Sequence, residues 1–429
     1  MRQLARPICL SVVVLHTIAM STELPSDSAN SRNLWVGLMS LAQLISWGSL
    51  YYTFSLLMPV VEQDLGASRV AVSGAFSAAL LVSGLAGLVV GRLIDQGHAR
   101  AVMSIGSIGA GLLLLAHSQI TSVAGLYAVW IGLGIAMACI LYEPVFTVLI
   151  RRWPKDYRRS LIAMTFLGGL ASTVFIPLSA WMIERLGWRE TCLVLAAMHF
   201  FLCLPIHVRM LRGEPPGRRA GSQSAASASG PDVTVASVRD LATSPAFLLI
   251  TVFSFVFMGL SAALSAHMVP LLRERGLPAA WAVVVPASIG VMQVVGRLLL
   301  FAFEGRIDPK KLDLIIPLLM PLSLLLLLAG GGSTGAALAF AACFGVGNGL
   351  ITIVKATAIA AYVSRDRVAV LSGLQTLPGA VARACGPIML AALWTFSSSY
   401  TAGLWLLIVA GVVATGLLAA AQKRALPQS

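Results

Sequence analysis

Charge is scarce in this sequence. Asp, Glu, Lys and Arg make up 11% of the 429 residues, against 58% hydrophobic residues and a mean hydropathy of +0.88. A soluble chain of this length needs far more charge to cover its surface, so a soluble globular protein is excluded. Cysteine is also sparse. The six cysteines form no Cys-x-x-Cys and no His/Cys cluster of zinc spacing. Cys192 and Cys203 would share a helix face about 16 Å apart along the axis, too far for a disulfide. Cys139, Cys192, Cys203, Cys343 and Cys385 therefore read as small apolar packing residues; soft ligation of a metalloid is the sharper alternative. No Gly-x-x-x-x-Gly-Lys phosphate loop occurs, which removes the usual route to ATP-driven work.

The chain does contain long apolar runs. Twelve of them, roughly 18 to 27 residues each, have the length that spans about 30 Å of hydrocarbon. They cover 34–60, 70–91, 101–118, 121–147, 160–183, 190–208, 246–270, 279–302, 312–330, 334–361, 368–396 and 400–421. The pattern lacks period two, so a β-barrel is excluded. The fold class is an all-α membrane protein with twelve transmembrane helices.

Acidic residues number 17 against 30 basic ones, and the net charge of +13 could suggest a nucleic-acid binder. The distribution indicates orientation instead. Nineteen of the 30 Lys and Arg fall in loops after even-numbered runs, in the middle linker or in the C-terminal tail; five fall on the opposite side, namely Arg69, Arg185, Arg189, Arg273 and Arg275. By the positive-inside rule both termini should be cytoplasmic, in a bacterial-type inner membrane, with no nucleic-acid partner.

Residues 1–32 stand outside the helical pattern. Arg2 and Arg6 precede an apolar stretch and then "STELPSDSANS", which imitates a signal peptide. Cleavage would leave the new terminus outside, against the charge bias. The stretch is therefore read as a disordered extension, with Met20 as an alternative start. Residues 33–208 form an N-terminal six-helix half and 246–422 a C-terminal half. Between them, 209–245 is a Ser-, Gly-, Ala- and Arg-rich linker, expected to be flexible and cytoplasmic; 423–429 is a tail.

The halves repeat. Gly48 and Pro59 match Gly259 and Pro270; "GRL" at Gly91 recurs at Gly296; "GLG" at Gly132 recurs as "GVG" at Gly345; Gly169 and Pro177 match Gly379 and Pro387. The offset stays near-constant through all four matches. Six helices per half, an even number, make the repeats parallel, related by an axis along the membrane normal.

Two six-helix halves, a basic linker and the loop "GRLIDQGHAR" resemble the major facilitator superfamily over roughly residues 33 to 422. The resemblance implies a secondary transporter that alternates between two open states, and a gating loop at Gly91, Arg92, Asp95, Gly97 and Arg100. In that loop Gly91 is expected to permit close helix approach, and Asp95 to cap a helix and pair with a cation. Run 5, "GGLASTVFIPLSAW", lacks the Gly-Pro-rich signature of the resembling drug/proton antiporters. "GVGNGLITIVK" and "LYEP" are similar to bacterial facilitators of poorly defined substrate.

Charges inside apolar runs are functional candidates by default. Glu143 is the sole charge between Leu133 and Leu149. The repeat suggests Lys355 as its partner, because the two lie at similar depths in runs 4 and 10. Arg383 lies deep in run 11, where it either pairs with a neighbouring helix or holds an anion. His267 is assigned to an outer gate, a proton site or packing. His199 and His207 are expected to be interfacial. The resemblance implies that Tyr52 and Asn348 line the cavity. The expected function is secondary active transport of a small organic solute, coupled to protons, by a monomer in the bilayer without cofactor; Arg383 and Lys355 against one Glu143 suggest an anion. A metalloid or drug efflux permease and a non-transporting solute sensor are the alternatives.

Overall fold

In a computed structural model, residues 29–153, 157–213, 238–302, 307–364 and 367–425 are described. Most of the linker, all but the end of the N-terminal extension, and the last four residues lie outside these segments. Among the described residues, twelve helices are long and apolar enough to span a membrane: α1 Asn30–Leu65, α2 Arg69–Asp95, α3 Ala99–His117, α4 Val123–Arg152, α5 Ser160–Leu186, α6 Trp188–Met210, α7 Pro245–Glu274, α8 Ala279–Ala302, α9 Pro309–Ala329, α10 Thr334–Tyr362, α11 Val370–Ser397 and α12 Thr401–Lys423. The chain is a multi-pass membrane protein, and with twelve spans the start of α1 and the end of α12 lie on one face, the terminal face.

Several helix starts follow from local chemistry. Ser68, Ser122 and Ser244 accept from the backbone N–H groups of Ala71, Gly125 and Phe247, and Asp308 accepts from Lys310. Each satisfies a donor that the first turn leaves free. Within each half the repeat is visible in the packing: α4 lies on α2 and α3, and α10 lies on α8 and α9. The halves have separate cores, one around Trp35, Phe54, Phe76 and Trp130, the other around Phe253, Phe257, Phe340 and Phe344.

The halves meet along two walls that the repeat relates to each other, α2 on α11 and α5 on α8. Small residues permit the approach, as expected where lipid supplies no hydrophobic drive between helices. A Cβ on Gly84 would sit 2.1 Å from that of Ala380, and one on Gly290 would meet the Gly169 carbonyl at 2.7 Å. Thr173 Oγ1 donates to the Ala287 carbonyl at 2.7 Å across the second wall.

Two expectations about the loop after α2 are corrected here. The close helix approach is at Gly84, not Gly91, where a Cβ would meet nothing within 4 Å. Asp95 caps no helix: it closes α2 and pairs with Arg151 of α4, whose second guanidinium nitrogen donates to the Ile94 carbonyl at 2.7 Å. Gly97 does need to be glycine, with φ at +87° in the turn to α3. His199 and His207 of α6 point into the protein rather than toward lipid or water. Both are fully buried, bonded to Ser49 at 2.8 Å and Ser107 at 2.7 Å.

Candidate functional site

Several of the spanning helices are interrupted part-way, and two of the interruptions shape a cavity. Pro144 has no N–H to give the Ile140 carbonyl, so α4 breaks at Leu141, whose backbone is extended, and resumes at Tyr142. Gln43 Nε2 donates to the freed Ile140 carbonyl at 2.6 Å. Such a break in a membrane helix is tolerated where a neighbour re-satisfies the backbone or where it lines a cavity. Glu143 sits in the first turn of the resumed segment, where the helix dipole favours a negative charge. In α1, residues Gly48–Tyr52 form a π-helical turn, a feature that often marks functional sites. It leaves Gly48 against the Phe175 ring, with no space for a Cβ.

Between these interruptions lies a cavity of about 370 Å³. Trp47 and Tyr51 of α1 and Arg383 of α11 line its deep part, Met137 to Thr147 of α4 its flank, and the α2 stretch from Ser83 to Asp95 runs along it to the terminal face. Glu143, Gly91, Arg92 and Asp95 all border it. The structure thus brings together Glu143, Arg383 and part of the expected gating loop.

The other candidates lie elsewhere. Lys355 is outside the cavity lining and forms no ion pair with Glu143; α4 and α10 stand on separate halves and are not packed together. Lys355 instead lies close enough to Arg383 for the two cations to interact. Asn348 Oδ1 accepts from Ser261 at 2.7 Å, joining α10 to α7. Tyr52 lies near Gln293 and Arg297 of α8.

Arg297 is a residue that sequence reasoning passed over. It is part-buried in α8 beside Tyr52 and Tyr142, and its guanidinium donates to the Thr165 carbonyl at 3.4 Å. It has no carboxylate partner among the described residues. Its signal was present: a charge inside an apolar run, within the repeated "GRL".

On the face opposite the terminal face the halves are clasped shut. Arg69, at the start of α2, crosses to the other half and lies 3.7 Å over the Trp394 ring while pairing with Glu62 at 3.2 Å. It also donates to Tyr400 Oη at 3.2 Å. Burial pushes the Tyr400 phenol above its ordinary range, so it keeps its proton and donates to His267 Nδ1 at 2.9 Å. That leaves His267 Nε2–H to donate to the Pro387 carbonyl at 2.9 Å, with Ser73 Oγ of the first half at 3.3 Å. His267 therefore belongs to this closure. Below the clasp, Leu56, Ile176, Val269 and Ala287 form an apolar plug drawn from both halves.

A cation over an aromatic face contributes up to about 2 kcal/mol when desolvated, worth roughly thirtyfold in a two-state population. Arg69→Ala should therefore open this face more often. A cysteine placed at Val269, now 1% exposed, should react with a membrane-impermeant thiol reagent about tenfold faster in the Arg69→Ala background. An unchanged rate would show that the clasp does not hold the halves.

The sequence matches the family model described as "Major Facilitator Superfamily" over residues 39–387. Among curated proteins, an uncharacterized 38 kDa protein of Thermoproteus tenax is 28% identical over 183 residues, 41% of this chain and 48% of that one. The transcription regulatory protein OpdE of Pseudomonas aeruginosa is 28% identical over 326 residues, 71% of this chain and 75% of that one. The chain thus spans about half the length of the first of these relatives and three quarters of the second. Among solved structures, the nucleoside transporter NupG aligns with a TM-score of 0.70 at 15% identity, covering 91% of this chain and 99% of that one. A POT family transporter aligns at 0.71 and 12% identity, covering 90% and 95%. A bacterial homolog of the human lysosomal transporter Spinster, inward-facing and unoccupied, aligns at 0.65 and 14% identity, covering 92% and 96%. With its family sequence pattern matched through most of its length and its twelve helices in the same arrangement, the chain belongs to the Major Facilitator Superfamily.

Proposed function

We infer that this facilitator moves a small organic anion across a bacterial-type inner membrane by alternating access, with protons as the coupling ion. The observation that supports it most is the cavity at the junction of the halves. One wall carries Arg383 without a carboxylate partner; another carries Glu143, also without an ion-pair partner among the described residues. Arg383 lies near the middle of α11, where an unanswered charge costs roughly 2.5 to 3.5 kcal/mol on insertion scales, so a chain that keeps one there has a use for it. An anion on Arg383 and an ionised Glu143 repel each other across one cavity. Anion binding and protonation of Glu143 therefore favour each other, which links the two movements.

The excess of basic residues in the loops on that side supports a cytoplasmic terminal face. The clasp then closes the outside, and the cavity is the inward-facing half of the cycle. Rocking the halves about the α2–α11 and α5–α8 walls would expose the same residues outside.

A second reading has one observation in its favour. OpdE, the Pseudomonas aeruginosa relative, is named a transcription regulatory protein, and a sensor of this fold would bind solute without moving it. Flux separates the readings. The purified chain in proteoliposomes should take up a labelled organic anion when an inward proton gradient is imposed. Binding without uptake would favour the sensor.

A further inference from the structure

We propose that the substrate of this cavity is an aromatic carboxylate: the carboxylate held by Arg383, the ring lying against Trp47 and Tyr51. This inference rests on the anion-transport reading above and narrows it.

The π-helical turn at Gly48–Tyr52 falls directly after Trp47, so Trp47 and Tyr51 both border the cavity while Tyr52 turns toward Gln293 and Arg297 of α8. The two rings belong to a continuous aromatic surface. Trp47 lies 5.3 Å from Tyr51 and 5.2 Å from Tyr142, and Tyr142 stacks on Phe146 at 4.9 Å, all between ring centroids. Tyr51 lies within electrostatic reach of Arg383, so cation and aromatic wall are close enough to serve one small molecule.

Gly87 and Gly91 of α2 border the cavity, and a Cβ on either would meet nothing within 4 Å. At about 370 Å³ the space is at the small end of ligand pockets, suited to a single ring with substituents. An aliphatic acid would use Arg383 equally well but leave the aromatic wall without a ring to pair with. Arg92 and Glu143, the other charges on the lining without an ion pair among the described residues, lie toward the terminal face beyond the rings.

Binding to the full-length protein in detergent, measured calorimetrically for benzoate, cyclohexanecarboxylate and benzamide, tests the assignment. Aromatic pairing beyond area burial is worth about two- to tenfold in affinity, so benzoate should bind that much tighter than cyclohexanecarboxylate, and benzamide weakly. Trp47→Leu and Tyr51→Leu should each reduce the benzoate preference, Tyr51→Phe should retain it, and Arg383→Ala should weaken both acids. Having two ring positions keeps the test open if one variant fails to fold. Equal binding of the two acids, both dependent on Arg383, would overturn the aromatic assignment and leave anion transport standing. A benzoate preference that survives both Leu variants would place the ring elsewhere. Acid binding that ignores Arg383, or no saturable benzoate binding, would overturn the anion reading with it.

Discussion

Arg383→Ala should cost about ten- to hundredfold in the affinity for transported anion, the range of a charge-assisted hydrogen bond in a partly dry site. Arg383 is part-buried in α11, faces the cavity and has no ion-pair partner among the described residues. Arg383→Lys keeps the charge but loses the planar fork that grips a carboxylate with two parallel bonds. Its affinity should fall between wild type and Ala. Initial uptake rates against anion concentration, at matched protein abundance, provide the measurement. Equal transport by the Lys and Ala variants would show that the guanidinium does not touch substrate.

Glu143→Gln should abolish accumulation against a gradient while leaving anion exchange nearly intact. Gln preserves the shape and hydrogen-bonding capacity of the side chain but neither releases nor takes up a proton. Exchange requires only that the loaded carrier turn over, whereas accumulation requires that a proton travel with the anion. Glu143 lines the cavity and lies in the segment that resumes after the α4 break, so it can meet water from the terminal face in this state. In the other state, where the terminal face closes, α4 and α10 would approach and Lys355 could answer its charge. The swap Glu143→Lys with Lys355→Glu should then recover part of the folded protein lost in either single variant. Independent losses in the double variant would show that the two never pair.

How much of this was legible in the sequence depended on the signal. The spans were plain, because about twenty apolar residues in a row have few other uses; each of the predicted runs overlaps a spanning helix, with ends within about five residues. The repeat was legible too, and the walls reflect it: Gly169 of α5 and Ala380, next to Gly379 of α11, both sit at crossings between the halves. The relation between helices was harder. Repeat symmetry suggested Glu143 with Lys355, yet in this state Glu143 shares a cavity with Arg383, since a parallel repeat puts α4 and α10 in different halves that move apart. The clasp joins Arg69 to Trp394 and Tyr400, at the far end of the chain and beyond any local pattern. The α4 break is legible in Pro144, the residue directly after Glu143. The π-turn in α1 had no comparable signal, since Gly48 alone does not say that the helix will gain a residue there.

The claim that an anion on Arg383 and a proton on Glu143 cross together is tested most directly by a pH dye sealed inside proteoliposomes. With no imposed pH gradient, an inward anion gradient should acidify the interior of wild-type vesicles in step with anion uptake. It should leave the interior pH unchanged in Glu143→Gln vesicles that still exchange anion. Acidification at the wild-type rate in the Gln variant, or anion uptake by the wild type with no proton movement, would contradict the account.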